Sequence, residues 1–453
     1  MYTGMFDTFA TRHWFSADAR RLWSDRATLQ AWLDVEAALA AVQAELGLVP
    51  ADAAATIAAC ADATRFDLDA LAQGIAAAQH PLVPVLHRFE ALCGEPAAGY
   101  LHWGATTQNI FDTAAALQMR RTHALLDGHL LDTLGTLGAQ ALAHKATPMA
   151  GRTHGQHALP MTLGLKIAGW IDELDRHRTR LRERLPQAFV ACMGGAIGSF
   201  AAMGPAGPEV ERRLAARLGL LPAGLPLRSS YDRAADHLAT LGLLAGTAQK
   251  IAQDIVFMQR NEVGEVAEAF HDGKVGSSTM AHKRNPSQAQ LLASLARLLR
   301  LRVPAAFEAQ VRMDEGDSAA TNVTDALLPE VAVLAVSIAE TLARLARGLV
   351  IDARALRRNL ELTQGQIASE AAMMRLGRLI GRHAAHRLLY EATQRTHAEG
   401  LSLAQALAQH PLLAGREDTA DLAQALDPLA YVGESVALTE RTVARVSPGA
   451  PAP

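Results

Sequence analysis

The sequence predicts an all-α fold built from long helices. Ala and Leu are abundant, whereas aromatic residues make up only 5% of the chain, a balance that favours helix over strand. Apolar residues recur at steps of three and four in several long segments, and Gly and Pro lie between those segments. Short β runs do not alternate with helices, so a doubly wound sheet is not expected.

Five segments carry the helical pattern. Gly47 and Pro50 provide the stop signal of the first segment, and Pro186 is predicted to end the second. At 1.5 Å per residue the second helix would be about 35 Å long, and helices of this length joined by loops form bundles. The predicted helical segments are 29–46, 160–185, 241–258, the run after Pro286 that includes 291–299, and the run after Pro329 that includes 331–345.

Length and charge limit the classes of protein that fit. The 453 residues predict more than one domain: an N-terminal helical domain over 1–99, a central long-helix bundle over 100–348, and a C-terminal helical domain over 349–453. A net charge of -3 provides no basic field for nucleic acid. With no run of about 18 apolar residues, no export signal and three scattered cysteines, we expect a cytoplasmic protein without a membrane partner.

Three segments depart from the Ala- and Leu-rich composition of a helix bundle. The first, HWGATTQN, contains Thr106, Thr107, Gln108 and Asn109 and leads into a helix that carries Asp112. Hydroxyls, amides and free backbone N–H groups at the start of a helix can bind a carboxylate or a phosphate. The alternative is an ordinary N-cap in which a threonine satisfies the first amides.

The second segment, GRTHGQHALP, lies directly before a predicted long helix. His154 and His157 are three residues apart, but no Cys or carboxylate nearby has metal-ligand spacing, so no metal is expected. A histidine at a helix entrance is suited to act as a general acid or base, because imidazole titrates near neutral pH. A purely structural histidine is the alternative.

The third segment, VGSSTMAHKRNP, spans residues 275–286. Ala281 stands where a P-loop needs its second glycine, and Ser277 lacks the flanking pattern of a nucleophile elbow. What remains is a Gly/Ser loop followed by Lys283 and Asn285, with Pro286 at the start of the next helix. The alternative is a solvent-exposed loop without function.

At this point the chain resembles the fumarase/aspartase superfamily. The GSSTMAHKRN loop matches the superfamily signature, and TTQN and GRTHGQH precede it in the expected order. The terminal stretches are similar to 3-carboxy-cis,cis-muconate cycloisomerases, whereas the GRTHGQHALP and SSTMAHKRNP segments are similar both to these and to adenylosuccinate lyases. The resemblance implies three all-helical domains, a homotetramer with active sites shared between subunits, and catalysis without a cofactor.

The resemblance also implies roles for individual residues. Ser277 matches the general base, with Ser278 as the neighbouring fallback, and His154 matches the acid or the group that orients the leaving group. Lys283 and Asn285 match the pair that holds the substrate carboxylate. The remaining residues expected to bind substrate are Thr106, Thr107, Gln108, Asn109, Thr153, Ser278, Met280 and His80.

Several residues depart from the family pattern. Ala281 replaces the signature proline, and Gln290 stands where adenylosuccinate lyases carry a glutamate that pairs with the histidine. Their phosphate-binding arginine segment has no cationic match near Asp325, which argues against a nucleotide substrate. His80 lies near a lyase histidine but in a different context, so it is either a substrate contact or a structural residue.

These observations predict a cofactor-independent lyase. It would remove a proton beside a carboxylate and expel a β leaving group through C–N or C–O cleavage, releasing fumarate or an analogue. The substrate would be a small polycarboxylate or an N-substituted succinate. The alternative is a carboxymuconate cycloisomerase, which forms a lactone within one molecule. An inactive helical scaffold is the alternative of a different class.

Overall fold

The computed structural model describes residues 4–270, 276–414 and 422–446, and most of these residues are helical. The all-α prediction is confirmed. The helices are α1 (Ala17–Leu22), α2 (Asp25–Glu45), α3 (Ala51–Cys60), α4 (Leu68–Ala78), α5 (Val83–Cys93), α6 (Thr107–Ala143), α7 (Leu163–Ala188), α8 (Gly207–Leu218), α9 (Asp232–Met258), α10 (Ser287–Arg300), α11 (Val303–Ala309), α12 (Ser318–Arg347), α13 (Ala353–Glu361), α14 (Ser369–Ile380), α15 (Arg382–Glu399), α16 (Leu403–Ala408), α17 (Leu422–Ala425) and α18 (Ser435–Val446).

Within the described residues, four short strands form two antiparallel pairs. The strand β1 (Pro148–Thr153) pairs with β2 (Gln156–Thr162), and β3 (Val266–Glu268) pairs with β4 (Leu349–Ile351). Each sheet has two strands, so these pairs are local additions to a helical protein.

The chain divides into two compact units. The first unit comprises Met1–Leu131, Arg176–Gln249 and Leu291–Leu342. Its core packs large apolar side chains of α2, α3, α5 and α6 together, including Leu33, Leu39, Ile57, Phe89 and Ile110. Ser24 caps α2 and Asp67 caps α4 through their side chains, as expected for residues that supply acceptors to the first free amides of a helix.

The second unit comprises Asp132–Asp175, Lys250–Gln290 and Ala343–Pro453. It contains both strand pairs and α13–α18. Its C-terminal part has a core of its own, in which Leu376, Leu388 and Leu407 of α14, α15 and α16 are buried. The division of the chain into domains at residues 99 and 348 stays a prediction.

The predicted helices agree with the structure except at prolines. Segments 29–46 and 291–299 fall on α2 and α10 within a few residues, and 241–258 forms the C-terminal part of α9, which begins earlier, at Asp232. Pro160 lies in β2, so α7 begins later, at Leu163, and Pro186 lies within α7 rather than at its end. Likewise Pro329 lies inside α12, which begins at Ser318. An interior proline removes one backbone hydrogen bond and costs about 3 kcal/mol, and burial of Leu328 and Val331 beside it opposes that cost.

The apolar character of α12 is strong enough to resemble a membrane span by composition. Its most apolar 18-residue window has a mean hydropathy of 1.7, and 78% of that window is buried inside the protein. Core helices of globular proteins share these properties, so the feature is weak evidence for membrane insertion.

Candidate active site

Residues 276–286, here called the signature loop, hold Ser277 at a turn in the second unit; Val275 lies outside the described residues. The Ser277 Oγ accepts hydrogen bonds from the backbone N–H groups of Thr279, at 3.3 Å, and Met280, at 3.0 Å. Gly276 is required here because a Cβ atom at this position would lie 2.1 Å from the Lys283 carbonyl oxygen. The glycine therefore allows the close backbone approach that shapes the turn.

The ends of the signature loop are tied together and to the end of α9. The Asn285 Nδ2 donates to the Gly276 carbonyl at 2.6 Å. Gln259 bridges two segments, because its Nε2 donates to the Arg284 carbonyl at 3.2 Å while its Oε1 accepts from the Glu268 N–H at 2.9 Å. In addition, the Arg284 guanidinium lies 4.7 Å from the centroid of the Phe270 ring.

The start of α10 is capped by a residue that is distant in sequence. The Glu268 carboxylate is buried and accepts from the N–H groups of Gln288, at 3.1 Å, and Ala289, at 2.7 Å. A negative charge at a helix N-terminus is favourable, so the Glu268 carboxylate stabilises the start of α10. Gln290 lies in the first turn of α10 and is exposed.

The loop presents its charged and polar side chains to solvent. Ser278, Met280, Ala281 and Lys283 are exposed, whereas Ser277 is half-buried, as is Asn285. Two backbone N–H groups donate to the Ser277 hydroxyl oxygen, and the same loop carries the exposed ammonium group of Lys283. Hydrogen-bond donors and a cation of this kind can stabilise negative charge.

The second motif forms a β-hairpin, not a helix entrance. Strands β1 and β2 pair Thr153 with Gln156, which leaves His154 and Gly155 as a two-residue turn. Their φ angles are +53° and +77°, and positive φ at both central residues is the pattern of a type I′ hairpin turn. The prediction that His154 lies at a helix entrance is therefore wrong. His154 is at the exposed tip of the hairpin, as is Thr153 beside it, and its ring has no hydrogen bond to another described residue.

A buried ion pair supports the base of this hairpin. Arg152 donates to both carboxylate oxygens of Glu265, at 2.5 and 3.0 Å, and Glu265 is fully buried. The Asn359 Nδ2 of α13 donates to the same carboxylate at 2.9 Å. The Arg152 guanidinium also lies 5.3 Å from the centroid of the Phe257 ring, a cation–π distance.

His157 lies beside this ion pair. Its Nδ1 is buried and has no hydrogen-bond partner among the described residues. Desolvation, reinforced by the Arg152 charge and opposed by Glu265, lowers the pKa of His157. The ring is therefore neutral at physiological pH, which fits a structural role better than the role of a cation.

The first motif lies in the first unit, at the start of α6. Asn109 is fully buried, and its Oδ1 accepts from the N–H groups of Thr106, at 3.0 Å, and Gly195, at 3.1 Å. Gln108 donates to the Asp112 carboxylate at 2.6 Å. Asn109, rather than Thr106 or Thr107, is thus the side chain that satisfies backbone amides here, which leaves both threonine hydroxyls partly accessible.

His80 contacts this motif. Its Nδ1 accepts from the Val83 N–H at the start of α5, at 3.2 Å, and its Nε2 lies 3.5 Å from the Thr107 Oγ1. Because Nδ1 is an acceptor, the neutral ring carries its proton on Nε2 and donates it toward Thr107. Both interpretations of His80 remain open, since the ring caps a helix and also borders the predicted carboxylate loop.

The structure groups the predicted residues into two sets. Thr106, Thr107 and Asn109 are joined with His80 in the first unit, and Ser277 is joined with Met280 in the second, where Asn285 closes the loop. The hairpin with His154 also belongs to the second unit. In the described part of the chain no group of three His, Cys, Asp or Glu side chains has the geometry of a metal site.

The first unit also contains a cavity of about 100 Å³ that no sequence motif indicates, lined by apolar side chains and by several charged and hydroxyl-bearing ones. Arg312 lines it, donating to the Arg228 carbonyl and the Thr324 hydroxyl, both at 3.0 Å, and lying 4.4 Å from the Tyr231 ring centroid. Asp112 and Asp325 also line the cavity. No motif signals this cluster, because Arg228 and Arg312 are 84 residues apart and neither belongs to a recognisable pattern.

Comparisons with known proteins agree with the three motifs. The family model described as "Lyase" matches residues 15–300, and the model "Adenylosuccinate lyase C-terminus" matches residues 365–442. The N-acetyl-S-(2-succino)cysteine lyase of Dickeya dadantii is 35% identical over 92% of this chain and 92% of its own length. The 3-carboxy-cis,cis-muconate cycloisomerase of Pseudomonas aeruginosa is 39% identical over 97% of this chain and 96% of its own length.

A solved structure supports the same assignment. The 3-carboxy-cis,cis-muconate lactonizing enzyme from Pseudomonas putida aligns with a TM-score of 0.90 and 38% identity, covering 96% of this chain and 98% of that one. The relatives are enzymes, so the alternative of an inactive scaffold is not supported. The chain belongs to the lyase family that the first model describes, within the fumarase/aspartase superfamily.

Proposed function

We propose that this enzyme removes a proton beside a carboxylate of a substituted succinate, expels the substituent from the neighbouring carbon and releases fumarate or an analogue. The observation that carries this proposal is the pair of backbone N–H groups that point at the Ser277 Oγ. A C–H bond beside a carboxylate is a very weak acid, so its removal needs a strong base and donors that stabilise the resulting dianion.

Ser277 is proposed as the base in its alkoxide form. Two backbone N–H groups favour the charged oxygen over the neutral hydroxyl, because hydrogen bonds to the charged form lower a pKa. Lys283 and Asn285, on the same loop, are proposed to hold the substrate carboxylate as negative charge develops on it. Thr106, Thr107, Gln108 and Asn109 are proposed to hold the second carboxylate.

For a substrate whose leaving group is attached through sulfur, the proposed elimination proceeds as follows. Ser277 takes the proton from the CH₂ carbon, the electron pair of that C–H bond forms the C=C bond, and the C–S bond breaks. The departing thiolate takes a proton from His154, which gives fumarate and a thiol. The relatives that cleave a succinocysteine favour sulfur as one leaving atom, in addition to the nitrogen and oxygen expected from the sequence.

Cycloisomerisation is the second candidate. The relatives and solved structures named as muconate cycloisomerases support it. The same loop would stabilise the same kind of carboxylate-centred negative charge, but the product would be a single lactone.

One assay distinguishes the two candidates. The purified enzyme is incubated separately with S-(2-succino)cysteine, with its N-acetyl form and with 3-carboxy-cis,cis-muconate, and products are quantified by chromatography. Fumarate and thiol in equal amounts support the lyase. Loss of carboxymuconate to one lactone, with no fumarate from the other substrates, supports the cycloisomerase. If neither reaction occurs, both proposals fail.

We also propose that the enzyme is a homotetramer in the cytoplasm and that each active site combines motifs from different subunits. Light scattering on the purified protein should give four times the subunit mass of 48.2 kDa. Mixing inactive Ser277→Ala and His154→Ala variants, followed by dissociation and reassembly, should restore part of the activity. A monomer, or a mixture that stays inactive after reassembly, would reject shared sites.

A further inference from the structure

The cavity in the first unit is lined by side chains of both charges. Arg228, Arg233 and Arg312 contribute guanidinium groups, and Asp112 and Asp325 contribute carboxylates. Its volume of about 100 Å³ is several times the roughly 10–15 Å³ that one water molecule needs. The space suits a small polar group rather than a nucleotide.

The cationic side of the lining has unused hydrogen-bond donors. Arg312 donates to two backbone carbonyls, of Ala309 and Arg228, and to threonine hydroxyls, so all of its hydrogen-bond acceptors are neutral. The Arg228 Nε is buried and has no partner among the described residues, and the same holds for the Tyr231 hydroxyl. Leaving a buried donor unpaired is unfavourable, and a bound carboxylate would remove that cost.

The anionic side has free acceptor capacity. One oxygen of Asp112 accepts from Gln108, and neither Asp112 nor Asp325 forms an ion pair within the described ranges. The two carboxyl groups are near enough for each to influence the other electrostatically. An ammonium group between them would offset their repulsion.

The cavity is connected to the motif proposed to bind a substrate carboxylate. The Arg228 Nη1 donates to the Ala196 carbonyl at 3.0 Å, and the preceding residue, Gly195, donates to Asn109. In addition, Gln108 of that motif is hydrogen-bonded to Asp112 of the cavity lining. The motif and the cavity are therefore neighbours within the first unit, joined by hydrogen bonds.

We propose that this cavity binds the leaving group and that the leaving group is an α-amino acid with a free ammonium group. Its carboxylate would contact Arg228 and the Tyr231 hydroxyl, and its ammonium group would lie against Asp112 and Asp325. The apolar side chains of Phe111 and Leu328, which also line the cavity, leave room for a short carbon chain. This inference rests on the proposed lyase function and deepens it.

A matched pair of substrates tests the inference. S-(2-succino)cysteine and its N-acetyl form differ only in whether the amine is free or acylated. For the natural enzyme we expect kcat/KM to favour the free amine by about tenfold or more, the equivalent of about 1.4 kcal/mol. Asp325→Asn should bring that ratio close to one while fumarate is still released. Asp232→Asn is the matched control, because Asp232 is exposed and lies outside the cavity lining.

A measurement on the unmodified enzyme guards against a variant that fails to fold. L-cysteine should inhibit fumarate release competitively and at lower concentration than N-acetylcysteine. Fumarate release with equal preference for the two substrates, or with a preference for the acetylated form, would overturn the inference and leave the lyase intact. If neither substrate yields fumarate, the lyase function itself fails.

Discussion

Arg152 and Glu265 form a two-point ion pair at the base of the hairpin that carries His154, with N···O distances of 2.5 and 3.0 Å. Because Asn359 donates to the same carboxylate, the pair connects the hairpin with the end of α9 and with α13. We infer that the Arg152–Glu265 pair stabilises the hairpin at whose tip His154 is proposed to act in catalysis.

Replacing one partner of this pair should be costly. Glu265→Gln leaves the Arg152 charge largely buried without its counter-ion, so we expect a loss of about 3–5 kcal/mol in unfolding free energy, measured by denaturant titration. Glu361→Gln is the control, since it breaks an exposed pair with Arg357 that is worth about 0–1 kcal/mol. Similar losses in both variants would contradict the structural role of the buried pair.

Ser277→Ala should abolish most activity without unfolding the protein. Removing a general base typically lowers the rate about 10²–10⁴-fold, and Ser277 is only half-buried. The measurement is kcat for fumarate release, with the melting temperature as a check on folding. Ser287→Ala, at the exposed start of α10, is the control and should retain most activity. A near-normal kcat for Ser277→Ala would remove Ser277 from the role of base.

Gly276→Ala tests the shape of the signature loop. Its new Cβ would lie 2.1 Å from the Lys283 carbonyl oxygen, so the backbone must move, and a displacement of about 1 Å can lower a rate about 10²-fold. We expect kcat/KM to fall while the melting temperature changes little. In contrast, Gly128→Ala in α6 meets no atom within 4 Å and should be neutral or slightly stabilising. Unchanged kinetics in Gly276→Ala would show that the loop tolerates the displacement.

Asp325 should make stability depend on pH. Burial and the Asp112 carboxylate raise the pKa of Asp325 from its ordinary value of 3.8 to about 6, with Arg312 opposing. Between these two values the native state binds more protons than the unfolded state, so stability falls as pH rises. Asp325→Asn removes this loss, and its stability relative to the natural protein should therefore increase between about pH 4 and pH 6. Melting temperatures across this range provide the test, and a constant difference would contradict it.

Helix periodicity identified α2, α7, α9, α10 and α12, and proline signals caused the main errors in their bounds. Pro286 was interpreted correctly, since α10 begins at Ser287, whereas Pro160 belongs to a strand and Pro329 to a helix interior. Pro286 follows an exposed loop, where its fixed φ angle suits the start of a helix. In a buried helix the surrounding apolar contacts can outweigh the lost hydrogen bond, and the local sequence does not contain that information.

Only part of the candidate site could be predicted from the sequence. Local motifs identified Ser277, His154 and Asn109, because each lies in a segment whose composition departs from that of a helix bundle. The conformation of the His154 turn could have been inferred from the following Gly155, since a residue–glycine pair between short strands is a hairpin signal. Arg228 and Arg312 could not have been found in this way, because their proximity depends on tertiary folding. The sulfur leaving atom was also absent from the sequence prediction, which considered nitrogen and oxygen.

The two-residue turn at His154 and Gly155 has a consequence for how the imidazole can be repositioned. In such a ribbon, neighbouring side chains project from opposite faces, and the tight turn leaves no slack to absorb an extra residue. An insertion at the tip would rotate the ring to the other face or enlarge the loop and free it, whereas lengthening both strands by two residues would carry it outward with its orientation preserved. Moving this histidine outward with its orientation preserved therefore requires that both strands be lengthened equally, by two residues at a time.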